Sequence, residues 1–143
     1  MTGGDDDPTV IARAFLDAVA WAEHTRVWDL LSAEARIAVL DVATRRGMDV
    51  LLAARLREGT TTAAERDEFF ADLLRGVRAD LGDVDLDTVR CVDSPWDEEP
   101  EDAAVVCLVQ EVPAELGGPV PVGAVDLTIE AVGGWRVRRV RSW

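Results

Sequence analysis

Hydrophobic positions recur along this chain with two different periods, and the change falls near residue 84. Before it, apolar residues return every three or four positions, the spacing of a helix with one buried face. After it they alternate, the spacing of a half-buried strand. Asp7 can cap a first helix, with Pro8 at its favoured first position. Ile11, Ala14, Phe15, Ala18 and Ala22 then mark one apolar face, so this helix should run to about Glu23. Residues 26–31, with Val27, Trp28, Leu30 and Leu31, read as a helical turn. Ser32 caps the next helix, over 33–46, with Ile37, Leu40 and Ala43 on one face and Gly47 as its left-handed terminator. Asp49 caps a helix to Glu58 that Gly59 closes. Thr62 and Glu65 fit a capping box. The helix after them buries Phe69, Leu73 and Val77, flanked by Phe70, Leu74 and Leu81, and ends at Gly82.

The alternating half predicts four strands, at about 87–94, 104–112, 122–132 and 135–142, joined by short polar connections into an antiparallel meander. Centring the first hairpin on Glu99 sets Cys91 opposite Cys107, Val92 opposite Val106 and Thr88 opposite Gln110. In the last hairpin a three-residue loop, 132–134, sets Ile129 opposite Val137 and Glu130 opposite Arg136. That register separates an apolar face from a polar one better than a two-residue Gly133-Gly134 turn does. Residues 104–109 are almost continuously apolar, the mark of a strand covered on both faces. The helices can cover one face. A second copy of the chain most simply covers the other, which predicts a homodimer through the outer sheet face.

Composition narrows the partners. The 143 residues suit one domain with a real core, so residues 8–143 are read as a single domain behind an acidic tail, 1–7. The net charge is −13, which repels phosphate backbones and anionic lipid, so neither nucleic acid nor membrane is an expected partner. The cluster Arg136, Arg138, Arg139 and Arg141 lies close in sequence to Asp126 and Glu130, so local ion pairing is expected there. No run approaches the roughly 18 apolar residues of a membrane span. The acidic start lacks the apolar segment of a signal peptide. The expected location is the cytoplasm, with Cys91 and Cys107 reduced. All 15 basic residues are Arg, the usage of a GC-rich bacterial genome.

The chain has no Tyr, Lys or Asn, one His and two Cys. Most acid–base and oxyanion schemes draw on those residues. His24, between Trp21 and Trp28, is a candidate base, weighed against a plain polar residue at a helix end. Asp126 becomes a base only if buried; its alternation with Thr128 and Glu130 puts it on the polar, solvated side. Cys91 and Cys107 read as small packing residues rather than nucleophiles. The acidic runs 5–7 and 97–102 lack the spacing of a calcium loop, and one His with two Cys in one hairpin does not suit zinc. No phosphate-binding glycine motif is present. No metal or cofactor is expected.

Helices first, then a sheet ending in Gly-Gly-Trp-Arg-Val, resembles the nuclear transport factor 2-like superfamily, which includes ketosteroid isomerases and SnoaL-like polyketide cyclases. The resembling residues are Ala14-Phe15-Leu16, Val27 to Ser32, and Gly134 to Val137 with Val140. The helical stretch from Ser32 to Gly82 is longer than that family's core carries before its sheet. The resemblance implies an α+β cone, with N-terminal helices packed on a curved C-terminal antiparallel sheet of about four strands. It also implies a cavity between the two layers and dimers through the outer sheet face. It implies no single activity. The isomerases' Tyr-centred site has no counterpart in a chain without Tyr. Phe15, Trp21, Trp28, Phe69 and Trp135 are the candidates to line the cavity, weighed against simple core packing. Trp96 and Trp143 are expected to be exposed. The expected function is a non-catalytic binding or interaction module, with a small hydrophobic ligand in the cavity. The alternatives are a SnoaL-like cyclase, isomerase or hydrolase, and an acidic regulatory partner protein.

Overall fold

Five helices are followed by four strands in the computed structural model, which describes residues 7–93, 102–131 and 134–143. The helices are α1 (Pro8–Ala20), α2 (His24–Leu30), α3 (Ala33–Arg45), α4 (Val50–Glu58) and α5 (Ala63–Leu81). The strands are β1 (Arg90–Asp93), β2 (Ala103–Gln110), β3 (Val120–Glu130) and β4 (Gly134–Ser142). They form an antiparallel sheet in the order β1-β2-β3-β4, so the architecture is α+β. Residues 1–6 of the expected tail, 94–101 of the expected acidic connection with Trp96, and Val132 and Gly133 of the expected last turn lie outside the described residues.

Helix starts follow local capping chemistry. Asp7, Ser32, Asp49 and Thr62 each accept a hydrogen bond from a backbone N–H in the first turn that follows, and Glu65 completes the capping box. Helix ends are less regular. α3 closes with Gly47 at φ 107°, where Met48 N–H reaches the Ala43 carbonyl and Gly47 N–H the Thr44 carbonyl. α1 closes with the same pair of bonds, Glu23 to Ala18 and Ala22 to Val19, but its left-handed residue is Ala22, at φ 58°. Without a glycine signal the apolar spacing carried the helix to Glu23; in fact it stops at Ala20. An L residue in this region costs about 1–2 kcal/mol, offset in part by glycine's freedom in the unfolded chain. Ala22→Gly is therefore expected to raise stability by about 0.5–1 kcal/mol, read from urea unfolding. A destabilised variant would refute the strain argument.

The core lies between the helices and the inner sheet face, where Phe15, Leu16, Val106, Leu108, Leu127 and Val137 are all but sealed. The free edge of β4 is covered: Leu31 bridges Val137, and Ser32 N–H donates to the Val137 carbonyl at 2.8 Å. α3 starts from that edge, its first N–H donating to the Glu130 carboxylate at 2.8 Å.

Two strand registers differ from the expected ones. Cys91 stands opposite Leu108, and Val92 opposite Cys107, one residue away from the predicted pairing. The two thiols therefore sit on opposite faces, Cys91 against the core and Cys107 outward, and both are free. The side-chain contact between Gln110 and Thr88 is kept, with the amide donating to the hydroxyl. β1 is also shorter than predicted, because Asp85 draws 85–89 into a turn by accepting from Asp87, Thr88 and Val89. In the last hairpin Ile129 pairs with Trp135 and Glu130 with Gly134. A bulge between Asp126 and Leu127 leaves Arg138 as the extra residue on β4. Val106 and Leu108 point into the core, so Val105, Cys107 and Val109 form the outward side of β2. Cys107 and Val109 are already buried within the single chain.

Candidate functional site

α3 and α5 both pack on β4, and a trough of about 950 Å³ lies between them. Its floor is apolar: Phe15, Leu31, Phe69, Leu73, Val77, Val137 and Val140. Each flanking helix contributes one continuous stripe. On α3 this is Ala35, Ala38, Val39, Val42 and Ala43, continued by the cap residue Arg46; on α5 it is Glu65, Glu68, Asp72, Gly76 and Asp80 above the floor residues. Met48 and the α4 residue Leu52 close one end, and an ion pair of 2.7 Å between Arg55 and Glu65 ties α4 to α5.

The walls carry opposite charge. Glu68, Asp72 and Asp80 line the α5 rim, while Arg46 on the α3 side and Arg138 on β4 supply cations. Asp72 pairs with Arg75, and Arg139 with Asp126. Among the described residues Glu68, Asp80, Arg46 and Arg138 make no side-chain ion pair or hydrogen bond. The Glu65 carboxyl is held below its usual range by the Thr62 N–H it accepts, and then by Arg55. Gly76 stands in the middle of the acidic wall, and a Cβ built there would meet nothing within 4 Å. Glycine inside a helix costs about 1 kcal/mol relative to alanine. Here it leaves space open beside the backbone.

Of the aromatic candidates Phe15, Trp21, Trp28, Phe69 and Trp135, Phe15 and Phe69 are in the trough lining. Trp28 and Trp135 are packed in the core instead, where each is buried. Trp21 is 77% exposed, because α1 has already ended and its ring projects beyond the helix. Trp143 is exposed as expected, with the Arg141 guanidinium 5.6 Å from its ring centre.

His24 is the first residue of α2, not the end of α1, so a charge on it gains nothing from a helix dipole there. Its Nε2 lies 3.7 Å from the Asp67 carboxylate of α5, and its ring meets Phe70 edge-on. It does not line the trough. Asp126 was expected to be solvated and is 6% exposed. It faces outward, and Arg139 and Arg141 reach it at 2.5 and 2.9 Å from the neighbouring strand. The expected local pairing of the arginine cluster is therefore present for these two. Burial pushes both thiols up, at Cys91 against a smaller opposing effect of Arg13, so neither is an activated nucleophile.

No protein-family model, curated protein or solved structure matches this chain. Among the described residues no His, Cys, Asp and Glu group of three or more is placed to hold a metal ion. No described helix is long and apolar enough to cross a membrane. The position of the trough between α3 and α5 was not read from the sequence. Its signals were an α3 with apolar residues on more than one face and a glycine in mid-helix. Ile37, expected on the buried face of α3, is 51% exposed, while Leu40 is buried beside the α4 residues Val50 and Ala53 and Ala43 lines the trough.

Proposed function

We propose that this chain is a non-catalytic binding module whose site is the trough between α3 and α5. The observation that carries this is an open trough of about 950 Å³ over an apolar floor. That volume is at the upper end of the roughly 300–1,000 Å³ of ligand pockets. The lining has no His or Cys, and its acidic groups stand on the rim, which favours binding over catalysis. The order of helices before a meander supports a distant relation to the nuclear transport factor 2-like group. The trough is built largely by the stretch from Ser32 to Gly82, in which this chain departs from that group.

Nile red, an uncharged apolar dye, tests the reading. The wild type is expected to bind it with a blue-shifted emission, and Gly76→Leu, which places a side chain in the open space, to weaken binding about tenfold. Gly76→Leu also removes a helix-breaking residue, so its fold should survive. Equal dye binding by both proteins would place the site elsewhere.

The same reading includes self-association through the outer sheet face, which Val92 and Val105 support as outward, half-buried apolar side chains on paired strands. Val105→Arg is expected to shift a dimer to monomer in light scattering. A wild type that is monomeric at micromolar concentration removes this part of the proposal.

A further inference from the structure

The dimensions and charges of the trough narrow its occupant, an inference that rests on the reading of the trough as a binding site. We propose that it receives a single amphipathic helix of about three to four turns from a partner protein, with a basic flank against α5 and an acidic flank towards Arg46.

Length comes first. The α3 stripe runs from Ala35 to Arg46 and the α5 stripe from Glu65 to Asp80. At 1.5 Å per residue these are about 16 and 22 Å, which is three to four helical turns. Width comes next. A helix of that length and about 10 Å across occupies on the order of 1,500 Å³. Embedding a little over half of it fills the observed 950 Å³. A single acyl chain, one methylene wide, leaves most of that cross-section as bare apolar surface. The walls admit a backbone: Ala35, Ala38 and Ala43 face a helix whose own wall is notched at Gly76.

Charge then sets the flanks. Glu68 and Asp80 on α5, Arg46 at the end of α3 and Arg138 on β4 have no side-chain partner among the described residues. A helix with apolar residues at helical spacing, Lys or Arg along one side and Glu or Asp along the other meets both walls with opposite charge. A singly charged amphiphile such as a fatty acid satisfies at most one wall. The −13 charge of the whole chain adds attraction for the basic flank.

The test uses the full chain and a synthetic peptide of about 15 residues, with leucines at helical spacing, lysines on one flank and glutamates on the other. Its control has the same composition with the leucine positions scrambled. The patterned peptide is expected to displace Nile red, to become helical by circular dichroism, and to bind about tenfold more tightly than the control. Gly76→Leu should remove that preference. Ala38→Met narrows the trough from the opposite wall if the first variant does not fold. Glu68→Arg should weaken the peptide several-fold at low salt and less at high salt. Equal binding of the two peptides, or peptide binding untouched by both plugs, overturns the proposal. Dye bound in the trough that decanoate displaces and neither peptide does would assign a small amphiphile and leave the binding reading standing. No dye binding at all would remove both.

Discussion

Trp28→Ala is expected to lower the stability of this domain by about 3–5 kcal/mol, the range for loss of a large buried aromatic. Trp28 joins α2 to α5. Its ring stacks on Phe70 at 5.3 Å and meets Phe69 edge-on at 5.5 Å. The Arg36 guanidinium lies 5.3 Å from the ring centre and donates to the Trp28 and Asp29 carbonyls, the last turn of α2. α2 is one of the shortest helices, and a helix of seven residues has little stability of its own. Removing the ring leaves a cavity between rigid neighbours and unties that helix. Urea unfolding gives the free energy, and a fall in Tm on the order of 10 °C should accompany it. A loss under about 1 kcal/mol would mean that Phe69 and Phe70 collapse into the space. Trp28 does not line the trough, so the folded fraction of this variant should still bind Nile red.

Gly123→Ala carries the next largest expected cost, at least about 1–3 kcal/mol. Gly123 is buried in β3 where Leu108 and Ser142 flank it from the neighbouring strands. A Cβ there would run into the Arg141 carbonyl oxygen, with the Arg141 carbonyl carbon and Ser142 Cα at 3.3 Å. These are backbone atoms, so no side-chain rotation relieves the contact. The end of β4 must move, and with it the Arg141 contacts to Asp126 and Trp143. Val122 next to it accepts the Trp143 N–H at 3.1 Å, and that bond should weaken first. Amide exchange at Trp143 and urea unfolding would both report it. Wild-type stability with unchanged exchange would show that the strands separate without cost.

Much of the architecture is legible residue by residue. Asp7, Ser32, Asp49 and Thr62 start helices because capping is a contact across a few residues, complete within the segment itself. Phe69, Phe70, Leu73, Leu74, Val77 and Leu81 are buried as the spacing of α5 requires. The change of period after Gly82 separates the helical half from the strand half, and four strands in sequence order pair as a meander. α+β therefore follows from local patterning alone.

What escaped the sequence depends on distances between segments. The end of α1 is set by a left-handed Ala22, a conformation that glycine would have announced and alanine does not. The β1–β2 register lies one residue from the expected one, and the β3–β4 ladder takes in an extra residue. The bulge leaves Arg138 as an extra residue in mid-strand, which the turn sequence does not announce. Asp126 alternates as a solvent-facing residue and is buried because Arg139 and Arg141 close on it from the next strand. Trp21 and Trp28 look alike in the chain; one ends a helix in solvent and the other is clasped by α5. The trough is the largest of these differences. The residues of its walls were all visible, but a space between two helices is a tertiary distance. Only the placement of α3 and α5 side by side on β4 decides that the space is there.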